Sequence, residues 1–503
     1  MIFNKFSQKA IFLGAFLFST SSFALQLDWS GQFWFDHNWL YNYQLDRGRL
    51  GYDDDPQFNM NGSPYVPGGG DKTASWYTAF LKLKPRILVN DSIQLKSEFQ
   101  VGSPIYAFMG RGYPTTGDES NNLTGSQKVN MSVGAQRFWA NIITDFGTIE
   151  AGRAPNHWGL GAIWNSGDKL FDRYQSSADM IRLTSKFGNF YLSPALMKIA
   201  VGNNLSGALS TSGTVTSGDD DITDLVLATK YDNREEDFEF GLNWTHRSGN
   251  AAQKSLYSNG YTAGSTRLRF NIFDFYAKKK VGRYSFGGEI PLISGEIGAA
   301  DGLIEHDYKT VGVILESDYT SDVWDIALKG GHVPGQPNSA SGDTKFQALY
   351  LNKNYGLGLI MFRYNLWGLT ANNPDTIVSP ASPFDAGIVN AKYVSLSPAA
   401  KVDKWTFKLT FVTGWANQAA EKNRRFWNYH ERKYYTAVRD QKSGLGWELD
   451  LGIQFNWDEN FVLAWDGGIW VPGRYYEFTN DAGVEHFNLD SMLASQIRVG
   501  ITF

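Results

Sequence analysis

QRFWANIITDFGTIEAGR, residues Gln136 to Arg153, is the stretch whose reading decides the fold. An aromatic-bearing run leads to the turn Asp145-Phe146-Gly147-Thr148, and a return run ends at Gly152-Arg153. Two extended runs around a short Gly-bearing turn spell a β-hairpin. Behind it, from Ala154 to Ala178, comes a long segment rich in Gly, Trp and charge with no steady period, before ADMIRLTSKF restores strand alternation. Connections of that length are functional or disordered. Its apolar residues Trp158, Leu160, Ile163, Trp164, Leu170 and Phe171 argue for a folded loop.

Outward from the hairpin, the same alternation recurs. Leu25, Leu27, Trp29, Phe33 and Phe35 oppose Gln26, Asp28, Ser30, Gln32 and Asp36. Tyr77, Ala79, Leu81, Leu83, Ile87 and Val89 oppose Thr78, Lys82, Lys84 and Arg86. Ile93, Leu95, Phe99 and Val101 oppose Gln94, Lys96, Glu98 and Gln100. Ionised residues lined along one flank suit a watery lumen and not the closed core of a sandwich. Arg267, Arg269, Asp224, Glu239 and Asp450 read as further inward charges, of mixed sign. Long connections alternate with short turns, the asymmetry of a membrane barrel. The fold class is therefore all-β, a transmembrane antiparallel up-and-down β-barrel of about 18–20 strands with a long loop in its lumen. Twenty strands result from a full count, and 18 if a doubtful pair within Phe346–Tyr364 is merged.

Both ends agree with export to an outer membrane. Lys5 and Lys9, the apolar run Ala10 to Phe18 and the small-residue site Ser22-Phe23-Ala24 spell a signal peptide over residues 1–24, leaving a barrel over 25–503. Removal of those two lysines leaves 44 of the 46 basic residues against 51 acidic ones, a balance that gives no reason to expect nucleic acid. The chain has no cysteine, and its 17 Trp and 25 Tyr suit a surface that is apolar on one side and wet on the other. The final strand, SQIRVGITF, alternates to a terminal Phe503. It resembles the C-terminal signal read by the outer-membrane barrel assembly machinery.

The hairpin, with Phe138-Trp139, the Gly147-Thr148 turn and the closing Gly152-Arg153, resembles the general porins of Gram-negative outer membranes. In them this hairpin is strands four and five, and the loop that follows folds inward as the constriction. The loop's usual Pro-Glu-Phe-Gly-Gly motif is replaced here by Ala154-Pro155-Asn156-His157-Trp158-Gly159-Leu160-Gly161. The resemblance implies passive diffusion through an eyelet with acids facing arginines across a transverse field. Arg153 is placed by the motif; Asp168, Asp172 and Asp179 would supply acids, and Arg173 and Arg182 bases. The bland alternative is that these charges pair with one another and pin the loop. His157 and Trp158 are further pore candidates, with loop packing the plainer role.

Other readings have less behind them. None of the seven histidines falls in a metal-binding spacing and no G-x-S-x-G elbow occurs, so no enzyme, metal or cofactor is expected. The runs Asp53-Asp54-Asp55 and Asp219-Asp220-Asp221 lack a calcium-loop pattern. Arg424 and Arg425 suit lipopolysaccharide phosphates, while Trp427, Tyr429, Tyr434 and Tyr435 offer flat faces to sugars. A substrate-specific channel for oligosaccharide or an acidic polymer, and a plugged structural or adhesive surface barrel, remain the alternatives. The partners expected are outer-membrane lipid and lipopolysaccharide, small hydrophilic solutes or ions, and copies of the chain in a homotrimer.

Overall fold

The computed structural model describes residues 26–42, 73–102, 108–109, 133–200, 222–251, 266–299, 305–340, 343–364, 384, 386–429, 433–480, 482–483 and 485–503. The signal segment and both acidic runs lie outside them. Eighteen antiparallel strands form the wall. They are β1 (Gln26–Asp28 continuing as Gly31–Tyr41), β2 (Thr73–Leu83 continuing as Arg86–Asn90), β3 (Ile93–Val101), β4 (Val133–Thr144), β5 (Gly147–Pro155) and β6 (Ser177–Phe187). Next come β7 (Phe190–Ala200), β8 (Ile222–Asn233), β9 (Phe238–Ala251), β10 (Thr266–Val281), β11 (Tyr284–Ala299) and β12 (Glu305–Val311 continuing as Val313–Thr320). The last six are β13 (Trp324–Val333), β14 (Ala391–Val402), β15 (Trp405–Ala416), β16 (Gly444–Asn456), β17 (Phe461–Pro472) and β18 (Met492–Thr502).

The sheet closes on itself where β18 pairs with β1, Val499 against Phe35 and Ile497 against His37. Phe503 and Gly31 exchange backbone hydrogen bonds of 2.7 and 3.1 Å at this seam. A Cβ on Gly31 would lie 2.5 Å from the Phe503 ring, so glycine is what lets the last residue dock. The QRFW hairpin is β4–β5, with Phe138 opposite Arg153, and the porin-like barrel expected from it is the one that forms. The doubtful pair resolves the strand count to 18. Apart from the two-residue strand Lys345–Phe346 and an isolated bridge between Tyr350 and Val389, residues 343–364 are an inward-folded loop. Strands about 4.8 Å apart and tilted by about 40° put opposite walls about 36 Å apart.

Side-chain direction follows the period of two. On β15, Trp405, Phe407, Leu409 and Phe411 are each more than 40% exposed on the outer face, while Thr410 and Val412 are buried inside. Such an outward apolar band belongs in hydrocarbon, which makes this an outer-membrane barrel. Arg269 corrects the list of inward charges: it shares the outer face of β10 with Phe273 and Phe275, because Leu268, Phe270, Ile272, Asp274 and Tyr276 are the buried, inward set. The side chain of Arg267, near the start of the same strand, lies outside the described ones.

The interior is not uniformly wet. Leu349, Leu351, Tyr355, Leu357, Leu359, Ile360, Met361 and Tyr364 of the inward loop form an apolar cluster with wall residues such as Leu40, Trp76, Ile314, Val412 and Trp470. Water fills less of the lumen than alternation alone implies. The reason is that a long loop can bury apolar side chains against inward-facing strand positions as well as any core.

Candidate pore constriction

The segment between β5 and β6 crosses the barrel. Its neck is closed by Asn156 N donating to Ser176 O at 2.9 Å and Ser176 N donating to Asn165 O at 2.7 Å. Its tip, Trp158 to Trp164, reaches β10 and β11. Trp158 Nε1 donates to Asp274 O at 3.1 Å, and its ring meets Tyr276 edge-on at 6.5 Å. Leu160 N donates to Glu289 Oε2 at 2.6 Å, Ile163 N to Oε1 at 3.3 Å, and Ala162 N to Oε2 at 3.4 Å. Gly159 and Gly161 take φ of +56° and +78°, a left-handed backbone that glycine adopts freely and that aims these amides at one carboxylate.

The returning half is fastened to β1–β4, half a circumference away from β11. Lys82 Nζ donates to Gly167 O at 2.8 Å, and Lys84 pairs with Asp168 at 2.8 Å. Gln32 Nε2 donates to Asp168 O at 3.0 Å. Arg137 donates to Ser166 O and Ser177 Oγ and pairs with Glu98 at 3.2 Å. Arg173 pairs with Asp36 while its guanidinium lies 3.7 Å from the centroid of Phe384. Gln175 donates to Glu98. Each buried charge here has an opposite charge against it, which is the condition for burying one at all.

The sequence-named residues divide. Asp168 and His157 are exposed on the loop, with His157 Nδ1 accepting from Ser166 N at 3.4 Å. Asp172 is half-buried, accepting from Lys169 N at 3.0 Å. Burial raises the Asp172 carboxyl above the usual carboxylate range. Burial pushes Asp168 up too, but hydrogen bonds from Lys84 and Ser166, with the Lys84 and Arg137 charges, leave its carboxyl below that range. Desolvation by the loop lowers His157 below the usual imidazole range. Arg182 faces the lumen from β6 and pairs with Glu150 of β5 at 2.5 Å. Trp158 is buried at the docked tip.

Arg153 and Asp179 do not face the lumen. They pair with each other at 2.6 Å on the outer surface, beside Phe138 and Ile181. The hairpin's own register requires this: Thr144 opposite Gly147 places Arg153 opposite Phe138, and cross-strand partners share a face. The expected sugar platform also fails. Trp427 is 2% exposed, edge-on to Phe346 and Tyr434, with Nε1 donating to the Tyr350 hydroxyl at 3.0 Å. Tyr429 accepts from Gln336 N, Tyr434 stacks with His306 and carries the Arg425 guanidinium at 4.4 Å, and Tyr435 packs on Phe426. Trp427, Tyr434 and Tyr435 belong to the hairpin Arg425–Asn428/Lys433–Thr436 and Tyr429 follows its first strand; Arg424 is exposed.

Residues that sequence reading passes over as site residues carry much of the construction: Asp36, Arg137, Asp274 and Glu289, with Lys82 and Glu98 read only as lumen charges. Below the loop, at the end of the barrel with the short turns, a cavity of about 1110 Å³ opens between the walls of β8–β15. Asp232, Glu239, Lys278, Asp318, Asp325 and Lys408 are among its lining residues, and acids and bases there are equal in number. No group of three or more potential metal ligands occurs among the described residues.

The chain matches no protein family and no curated protein. Similar solved structures include OccK2 (OpdF) of Pseudomonas aeruginosa, at 10% identity and a TM-score of 0.46 over 95% of this chain and 98% of that one. A BenF-like porin from Pseudomonas fluorescens Pf-5 is similar at 9% identity and a TM-score of 0.46, over 95% and 98%. OmpT of Vibrio cholerae is similar at 9% identity and a TM-score of 0.35, over 96% and 99%.

Proposed function

We propose that the chain is an outer-membrane porin, a passive diffusion channel for small hydrophilic solutes through a loop-constricted pore. One observation carries the reading: a loop rooted between β5 and β6 spans the lumen and is pinned to opposite walls above a charged, open vestibule. A channel of this kind needs no energy source, since the loop sets size and the wall charges orient the solute. Asp168, Asp172, Lys169 and His157 would line the loop side of the passage, with Arg182 and Glu150 on the wall at the loop's root. The mature chain would start after cleavage near Ala24 and be inserted by the barrel assembly machinery. Exposed Arg424 would meet lipopolysaccharide, and homotrimers would form in the membrane.

A second, solute-selective reading is favoured by the apolar inward loop over residues 343–364, which narrows the lumen further than one constriction loop does alone. Planar-bilayer recording of the purified protein tests the channel directly. Ohmic steps are expected, with current blocked saturably by one solute class if the selective reading holds. A barrel that gives no steps and admits no sugar into liposomes is a plugged structural barrel instead.

A further inference from the structure

The loop over residues 343–364 is held by the same device as the loop between β5 and β6, at a second place on the wall. On β16, Glu448 is fully buried. It accepts from Ile360 N at 2.6 Å through Oε1 and from Met361 N at 2.6 Å through Oε2. Its neighbour two residues on, Asp450, accepts from Leu359 N at 3.0 Å. On β11, Glu289 is likewise fully buried and accepts from Leu160, Ala162 and Ile163.

Each run of captured amides begins at the leucine of a Gly-Leu step, Gly159-Leu160 and Gly358-Leu359. In each, the missing Cβ is what lets the carboxylate in. A Cβ on Gly159 would stand 2.6 Å from Glu289 Oε2, and one on Gly358 would stand 2.6 Å from Glu448 Oε1. A buried carboxyl group gathering several backbone amides satisfies donors that the loop would otherwise bury without partners. The two loops also grip each other: Asn352 N donates to Ala162 O at 2.7 Å, and Asn354 Nδ2 donates to Tyr174 O at 2.6 Å.

We infer that Glu448 is a second positioning residue of the constriction, a wall latch that holds residues 358–361 against β16 inside the lumen as Glu289 holds residues 160–163 against β11, so that the passage is bounded by two latched loops. The inference rests on the channel reading above, and its test separates the two. Glu448→Ala and Gly358→Ala break the latch from opposite sides; Glu448→Gln keeps one acceptor. Because the chain has no cysteine, Leu357→Cys, at a position 6% exposed, reports release of the loop through labelling of the introduced thiol by a membrane-impermeant maleimide.

In barrels that keep heat-modifiable migration, Glu448→Ala and Gly358→Ala should each raise unit conductance roughly twofold by widening the lumen. Both should also speed labelling of the thiol by about tenfold or more, as loss of the two hydrogen bonds implies, with Glu448→Gln between. Glu289→Ala should add a separate increment. Folded variants with the parent's labelling rate overturn the latch whatever the conductance. A parent that never conducts overturns the channel reading, while accelerated labelling still upholds the latch. If Glu448→Ala does not assemble, Gly358→Ala, which leaves the glutamate in place, decides by the same two measurements.

Discussion

Two walls of this barrel carry the same written pattern and live in different media. On β1–β4, Asp36, Lys82, Glu98 and Arg137 are each at most 2% exposed, sealed under the crossing loop and paired. On β12–β14, Glu316 with Lys329 and Asp325 with Lys401 pair at 3.1 and 2.7 Å, yet all four side chains stay partly exposed, and Asp325 lines the vestibule. Alternation specifies which side of the wall a charge faces. Whether that charge meets water is decided by a loop arriving from elsewhere in the chain.

The contrast is broken most directly by Arg137→Ala. It leaves Glu98 buried without its guanidinium and strips the carbonyl of Ser166, so a loss of about 3–5 kcal/mol is expected. Thermal conversion of the folded gel band to the unfolded one should shift to clearly lower temperature, and an unshifted transition would mean that the covered wall is not the dry one. Charge reversal on the open wall is the next largest in its effect on current and small in stability. Lys408→Glu, exposed at the vestibule, should move the reversal potential in a salt gradient toward cation preference, with stability within about 0.5 kcal/mol of the parent.

A pH titration sharpens the comparison within the loop itself. Asp172, raised by burial, takes up its proton at a higher pH than Asp168, whose carboxyl is held down by Lys84 and Arg137. On acidification the loop therefore loses the Asp172 charge first, and selectivity should drift toward anions before Asp168 titrates. The first stage of that drift should vanish in Asp172→Asn; its persistence would assign the drift to another group. The smallest effect is expected from Arg153→Ala. The Arg153–Asp179 pair is exposed on the outer surface, so conductance should be unchanged and stability lowered by about 1 kcal/mol or less.

Much of the constriction is legible from particular residues. The hairpin, its turn and the unperiodic segment behind it locate the crossing loop because strands, turns and loops each have a local signature. The motif misplaces Arg153, although counting back from Gly147 sets it opposite outward Phe138. Trp427 and Tyr429 mislead because an aromatic on a loop has the same sequence signature whether its face is bare or packed. Glu289 and Glu448 give no signal of their own, since a lone glutamate at an inward position looks like any lumen charge. What marks them is a set of backbone amides more than 80 residues distant, and a backbone amide has no letter in the sequence.

By itself the sequence determined that this chain alternates and closes, since period and terminal strand are local facts written by neighbouring residues. Only the tertiary structure decided where water stops, because that depends on which loops reach which walls. The wall residues that receive those loops are chosen by register and distance across a lumen about 36 Å wide.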